Sequence, residues 1–184
     1  MLISTRVTRT EPSTEPVTVD ELRAHLRMSV KTHDSDLSDY ITTARQVIEE
    51  AYLSKALIDQ AVVEYFDTFA DGMELRWAPV DSVTSVQYLD TDGDSQTLAA
   101  TVYELGDVLG QGVVRLKYDQ VFPSIRAHAD VVWITYTAGY GAKADVPKAI
   151  RRAILLYAGS LHTGVLPTST IDSLLSPYRD RRVI

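Results

Sequence analysis

Cysteine is absent from the 184 residues, which excludes disulfides, thiolate metal sites and thiol catalysis. Long apolar runs are absent too, so no stretch reads as a transmembrane helix. Met1 to Glu15 contain no apolar core of the signal-peptide kind, and the expectation is a protein kept in a cytoplasm or in something assembled there. Basic excess is also missing. The formal charge is −7, with 18 Lys and Arg against 25 Asp and Glu. That argues against a dedicated nucleic-acid binder, whose affinity depends on neutralising phosphates. Apolar content is ordinary for a globular chain (45%, with 23% charged), so wholesale disorder is excluded.

Motifs for catalysis are equally scarce. His25, His33, His128 and His162 form no metal-ligand spacing and read as surface or turn residues. No Gly-x-Ser-x-Gly elbow and no phosphate-cradling loop ending in Lys-Ser or Lys-Thr is present. Thr137–Gly141 (TAGYG) reads as a turn leaving a strand. The run Asp90-Thr91-Asp92-Gly93-Asp94 has its glycine at position four, not six, and Thr101 at position twelve. A hairpin turn explains it better than a calcium loop. Asp34, Asp36 and Asp39 fit a charged helix start, not a metal site. No catalytic residue, metal site or cofactor is expected.

What is present is a helix–strand–helix pattern. Residues 1–16, rich in Thr, Ser, Glu and Pro, read as a flexible N-terminal arm. Thr18 with Glu21 has the spacing of a capping box and opens a short amphipathic helix carrying Leu22 and Leu26. Asp34, Ser35 and Asp36 open a second. Leu37, Tyr40, Ile41, Ala44, Val47, Ile48, Ala51 and Tyr52 recur at a 3.6-residue period, and Asp39, Arg45, Gln46, Glu49 and Glu50 fall on the other face.

Six candidate strands follow: Ala61–Phe69, Met73–Trp77, Val83–Leu89, Val102–Leu105, Val113–Lys117 and Val131–Thr137. Aromatics at or near them, including Tyr65, Phe66, Phe69, Trp77, Tyr88, Tyr118, Trp133 and Tyr136, are explained by cross-strand packing. Pro147 then begins a last helix with Ala149, Ile150, Ala153, Ile154, Tyr157, Ala158 and Leu161 on one face and Lys148, Arg151 and Arg152 on the other. Gly164 and Pro167 end it. The expected class is α+β: a helical core of N-terminal helices plus a C-terminal helix, an inserted small antiparallel β region, and flexible terminal arms. The expected organisation is an arm over 1–16 and a single domain over 17–167, with helices at 18–56, a β region at 60–138 and a helix at 147–162. A C-terminal docking tail spans 168–184.

Charge is unevenly spread along the chain. Residues 1–142 carry 11 basic and 22 acidic side chains, whereas 143–184 carry 7 and 3. An acidic body with a basic end suits a docking segment. A helix-turn-helix beginning at Val19–Arg27, as in a DNA-binding regulatory or packaging factor, is the alternative. The acidic second helix speaks against it. A hydrolase with an unrecognised site has no residue in its favour.

Several segments in order carry a family resemblance: Glu15–Arg27 (EPVTVDELRAHLR), Asp36-Leu37 with Ile41–Glu49 (ITTARQVIE), Ala78–Val83 (APVDSV) with Val86–Gly93 (VQYLDTDG), Tyr136–Tyr140 (YTAGY), Val146–Ile150 (VPKAI) and Leu174–Arg179 (LLSPYR). Together they resemble the head–tail connector (adaptor) family of tailed bacteriophages and gene transfer agents, over about residues 15–182. The resemblance implies a structural virion protein without enzymatic activity. It would form a ring, commonly of twelve copies, under the portal protein, with a stopper or tail-completion protein docked below. DNA would pass through the lumen unread, and no membrane is involved. It implies a location at the viral neck after assembly in the bacterial cytoplasm. Tyr178, Arg179, Arg181 and Arg182 are the expected contacts to the portal or a neighbouring subunit.

Overall fold

The β-branched and aromatic runs at 60–66 and 132–138 pair with each other, residue by residue. A computed structural model describing residues 2–29 and 33–179 places Gln60 opposite Ala138 and Phe66 opposite Val132 in an antiparallel ladder. In both strands alternate side chains point inward, as a two-residue period requires: Val62, Glu64 and Phe66 on one, Val132, Ile134, Tyr136 and Ala138 on the other. The strands in chain order are β1 (Leu2–Ile3), β2 (Arg6–Arg9), β3 (Gln60–Phe66), β4 (Met73–Glu74), β5 (Val80–Leu89), β6 (Ser95–Thr97), β7 (Tyr103–Val108), β8 (Gln111–Leu116) and β9 (Val132–Ala138). One sheet has the order β2-β3-β9-β5-β6. The other is β1-β4-β8-β7, in which the β1–β4 pair is parallel.

The turn between β5 and β6 is locked by Asp90, whose Oδ1 accepts the amides of Asp92, Gly93 and Asp94 at 2.9–3.1 Å. Gly93 supplies the φ of 93°, as the hairpin reading requires. At the end of β9, Gly139 has φ 151°, and a Cβ there would sit 2.5 Å from the backbone nitrogen of Asp59. Only glycine lets the strand leave the sheet at this point.

The helices are α1 (Val19–His25), α2 (Asp34–Val47), α3 (Lys148–Thr163) and α4 (Thr168–Leu175), with a π turn over Ile48–Leu53 and a 3₁₀ turn over Ser176–Tyr178. The Thr18/Glu21 capping box is present in full. Leu22, Leu37, Ile41, Ile48, Ile150, Ile154, Ile171 and Leu175 form the centre of one buried apolar cluster. Each contributes roughly 1.5–3 kcal/mol by burial.

The α+β class holds, and several details differ from expectation. The chain divides into two compact units where one domain was expected: a β unit (Met1–Glu11 and Asp59–Gly139, with Arg182–Ile184) and a helical unit (Pro12–Ile58 and Tyr140–Arg181). The first residues are strands, because β1 and β2 find open sheet edges at β4 and β3. Thr5 Oγ1 and Arg6 Nε fix this stretch to the Asp130 carboxylate at 2.6 and 3.0 Å. Residues 168–178 are helical where a tail was expected, since Ile171 and Leu175, one turn apart, are fully buried.

Arg45 and Glu49, expected on a solvated face, are 1% and 0% exposed. The π turn explains part of this. One extra residue per turn rotates the following positions, so Ala51 faces solvent and Leu53 enters the core. Leu161, expected in the α3 stripe, is 39% exposed. His33, in a left-handed conformation and without a side-chain cap, stands at the N-cap of α2, where the cap was expected from among Asp34, Ser35 and Asp36. Pro147, expected as the first helical residue, is the N-cap of α3, which starts one residue later at Lys148. The three-residue strand β6 lay outside the six predicted. Phe69, Trp77 and Tyr118 lie outside strands. Phe69 stacks on Phe122 with centroids 4.5 Å apart, and Tyr118 is fully exposed.

Candidate interface surfaces

The predicted contact residues sit at the end of the helical unit. Burial of Ile171 and Leu175 fixes α4, and the 3₁₀ turn brings half-buried Tyr178 against the same apolar cluster. Arg179 follows in extended conformation. Its Nη2 donates to Asp172 Oδ1 at 2.6 Å, and its guanidinium lies 5.6 Å from the Tyr52 ring centroid. Tyr178 and Arg179 therefore share one corner with Asp172 and Tyr52. Arg181 and Arg182 lie outside the described residues. Tyr52 belongs to the π turn, and a helical period offers no signal that would have placed it beside Arg179.

A second surface is cationic. Lys148 and Arg152 are one turn apart on α3 and exposed, and neither has a carboxylate partner among the described residues. The neighbouring cations are occupied. Lys143 and Arg151 both pair with Glu21, and Arg151 Nε also donates to the Pro16 carbonyl at 3.1 Å. Burial pushes Glu21 up. Its hydrogen bond from Lys143, those from the Thr18 backbone and hydroxyl, and the Lys143 charge outweigh this and hold it at about 2. Arg152 Nη1 lies 3.1 Å from His25 Nδ1. Burial and the Arg152 charge both push His25 down, which favours a neutral imidazole.

Buried polar groups elsewhere serve the fold. Arg45 bridges Glu15 and Glu49 at 2.9 Å each, and the other Glu49 oxygen accepts the Leu57 amide at 2.9 Å. In the β unit Glu64 is fully buried. It accepts the Tyr136 hydroxyl and the Arg76 amide, and Tyr136 in turn accepts the Trp77 amide at 3.2 Å. Burial pushes the Glu64 carboxyl up and, together with the Glu64 charge, the Tyr136 phenol up.

An apolar groove of about 600 Å³ in the helical unit has Val17, Val19 and Ile41 in its walls. The ionisable groups at its rim, Glu15 and Lys143, are held by Arg45 and Glu21. The four histidines are held separately. His25 meets Arg152, His33 Asp36, His128 the Ala129 carbonyl, and His162 the Tyr40 ring. Asp34 pairs with Arg23. Among the described residues no three His, Asp or Glu side chains are grouped to hold a metal, and no helix is long and apolar enough to cross a membrane.

The charge divides with the units. Met1–Glu11 and Asp59–Gly139 carry 6 basic and 14 acidic residues, whereas Pro12–Ile58 and Tyr140–Arg181 carry 11 and 11. The acidic excess belongs to the β unit alone. Exposed apolar side chains there include Leu109 at the β7–β8 turn, Tyr118 and Val121.

No family model and no curated protein matches the chain. Solved structures do. A chain in the virion of a native gene transfer agent particle is 24% identical, with a TM-score of 0.81, over 98% of both chains. A chain in the neck of an empty gene transfer agent particle, computed with C6 symmetry, is 24% identical with a TM-score of 0.79, covering 96% of this chain and 97% of that one. A chain in the neck of a native particle, computed with C12 symmetry, gives 23% and 0.77 over the same shares. At these identities the likeness establishes a shared fold from end to end.

Proposed function

We propose that this chain is a structural subunit of a virion neck: an adaptor that closes into a ring beneath the portal protein and joins the capsid to a stopper or tail-completion protein. The observation that carries this reading is the end-to-end match, in both units, to chains of gene transfer agent virions and necks. A ring of twelve is the reading that a neck computed with C12 symmetry supports. Closed rings arise from head-to-tail contacts between unlike patches, so each subunit needs two different surfaces.

The chemistry agrees with such a role. Among the ionisable groups that burial perturbs, Glu64, Tyr136 and His25 are engaged with neighbouring groups in the fold. A net charge of −7 disfavours a grip on phosphates, so DNA crosses the lumen without specific binding. No cofactor and no membrane enter the reading.

The docking role of the C-terminal end is part of the proposal. Tyr178 and Arg179 stand on a corner fixed by α4, and Arg181 and Arg182 continue the chain from it. Arg179 and the two later arginines would meet acidic groups of the portal or the next subunit. The test is particle assembly in cells carrying a labelled copy of the chain, with electron microscopy of the necks. The wild type should form a ring between portal and tail. A chain lacking residues 180–184 and carrying Arg179→Glu should fold, by circular dichroism, yet leave capsids without tails. Absence of the labelled chain from mature necks defeats the adaptor reading. Normal incorporation of the truncated variant defeats the docking role alone.

A further inference from the structure

The charge partition has a counterpart on α3. Lys148 and Arg152 project from one face, a turn apart, exposed and without a carboxylate partner among the described residues. Arg27, two residues beyond the His25 that touches Arg152, is exposed and equally unpaired. His25 itself favours its neutral form and neither neutralises nor extends this patch. Glu21, the nearby carboxylate, is already saturated by Lys143 and Arg151. The helical unit is otherwise balanced at 11 against 11, so the patch is a local surplus.

Residues 1–11 and 59–139 of the β unit carry the opposite surplus, 14 acids against 6 bases. Asp92 and Asp94 are exposed acids of this unit whose carboxylates take no hydrogen bond among the described residues, on a turn whose backbone is held. Three amide hydrogen bonds to Asp90 Oδ1 hold their turn, and Gln96 Nε2 clamps Asp90 Oδ2 at 2.9 Å. Arg126 leans across Gly93 between them, leaving the turn net negative.

We propose that Lys148 and Arg152 of α3 receive the acidic β5–β6 turn, Asp92 and Asp94, of a second copy of this chain. Two unlike patches on one chain, complementary in sign, generate a head-to-tail contact, the kind that propagates around an axis. Complementary charge sets partner, register and encounter rate more than raw affinity, which suits a contact repeated in every subunit. Duplex DNA is the weaker occupant, because a chain of net charge −7 repels phosphates at long range and this face of α3 offers only Lys148 and Arg152. This inference rests on the neck-subunit reading and names the surfaces that reading requires.

Because the chain has no cysteine, introduced ones report cleanly. Ala149→Cys and Thr91→Cys copies, which keep all four charges, would be mixed and treated with a short bis-maleimide, beside a control mixture of Ser169→Cys and Thr91→Cys. The expected result is heterodimer yield at least about tenfold above control, falling as salt rises from about 0.05 M to about 0.5 M. Lys148→Glu/Arg152→Glu should abolish salt-sensitive self-association in sedimentation velocity, Asp92→Lys/Asp94→Lys should do the same, and the combined charge swap should restore it. Cross-linking at control level overturns the proposal. So does a DNA mobility shift that the Lys148→Glu/Arg152→Glu pair removes while self-association persists. Particle incorporation is scored separately. A chain missing from necks but cross-linking as expected sinks the neck reading, and an incorporated chain without the cross-link sinks this contact alone.

Discussion

Replacing Arg45 by alanine tests the centre of the helical unit. Its guanidinium is 1% exposed and bridges Glu15 and the fully buried Glu49 at 2.9 Å each. Glu15 is 26% exposed, so water can resolvate it when the arginine goes, at a cost of about 1 kcal/mol or less. Glu49 has no such escape. Stripping the arginine from a buried carboxylate costs about 3–5 kcal/mol. That is a large part of the roughly 5–15 kcal/mol that holds a typical domain together. Adding Glu49→Gln removes the stranded charge, and the amide oxygen can still accept the Leu57 N–H. The double variant should therefore recover about 2 kcal/mol, the residue being lost hydrogen bonds and packing. Arg45→Lys, which keeps the charge but cannot reach both carboxylates in the same fork, should fall between wild type and alanine.

Urea unfolding gives the measurement. With a slope of about 2 kcal/mol per molar, the Arg45→Ala midpoint should drop by about 1.5–2.5 M. Far-UV circular dichroism follows the helices, while Trp77 and Trp133, both in the β unit, report that unit by fluorescence. A loss below about 1 kcal/mol, or an Arg45→Ala/Glu49→Gln variant no better than Arg45→Ala, refutes the buried-pair account.

Three further outcomes are expected. Because the folded protein holds Glu21 at about 2 against an ordinary 4.5, its contribution is complete above pH 4.5 and fades as pH falls toward 2. Acid titration of helicity should show Glu21→Gln flatter across that window, and equal slopes would remove the Lys143–Glu21–Arg151 cluster from the account. Burial raises the Glu64 carboxyl, so stability tied to it is present at low pH and lost as pH rises through the folded value; Glu64→Gln should flatten this loss in tryptophan-monitored melts, whereas Tyr136→Phe should cost about 1–3 kcal/mol by removing the acceptor of the Trp77 amide and one of the donors to Glu64. Gly139→Ala drives a methyl into the Asp59 backbone and should lower thermal stability more than Gly164→Ala, where a Cβ meets nothing within 4 Å; a reversed order in scanning calorimetry would contradict the close approach.

Much of this architecture was legible where one physical rule acts alone. The Thr18/Glu21 box, the hairpin turn around Gly93 and the apolar period of α3 up to Ala158 each depend on neighbours in sequence, and each forms as read. Reading failed where the decision is made at a distance. Leu2–Ile3 and Arg6–Arg9 become strands because β4 and β3 offer edges. Arg45 and Glu49 look like solvated charges until Glu15, 30 residues before Arg45, is brought alongside. The π turn shifts the stripe by one position, and no residue type announces it. Tyr178 and Arg179 are proposed as contacts through the resemblance of their segment, and the structure places Tyr52 and Asp172 beside Arg179, which no local pattern ties to it.

The acidity of the chain now has a physical division of labour. Glu21, Glu49, Glu64, Asp67, Asp71, Asp90, Asp107 and Asp145 each accept a backbone N–H near a helix start, a turn or a junction. A backbone donor that leaves regular structure needs an acceptor, and a carboxylate provides a strong one. Perturbed carboxylates are often a sign of catalysis; here burial pushes Glu64 up, and the hydrogen bonds that Asp90 accepts from Gln96 and the turn amides push it down. Asp92 and Asp94 lie outside that set. Their carboxylates accept no backbone amide among the described residues, while the Asp90 turn holds their backbone in place. Replacing them changes surface charge without removing a backbone acceptor. Asp92→Lys/Asp94→Lys should therefore keep the wild-type melting profile while losing self-association. Loss of fold in that variant would mean that these two acids also belong to the scaffold and that the contact between copies must be sought elsewhere.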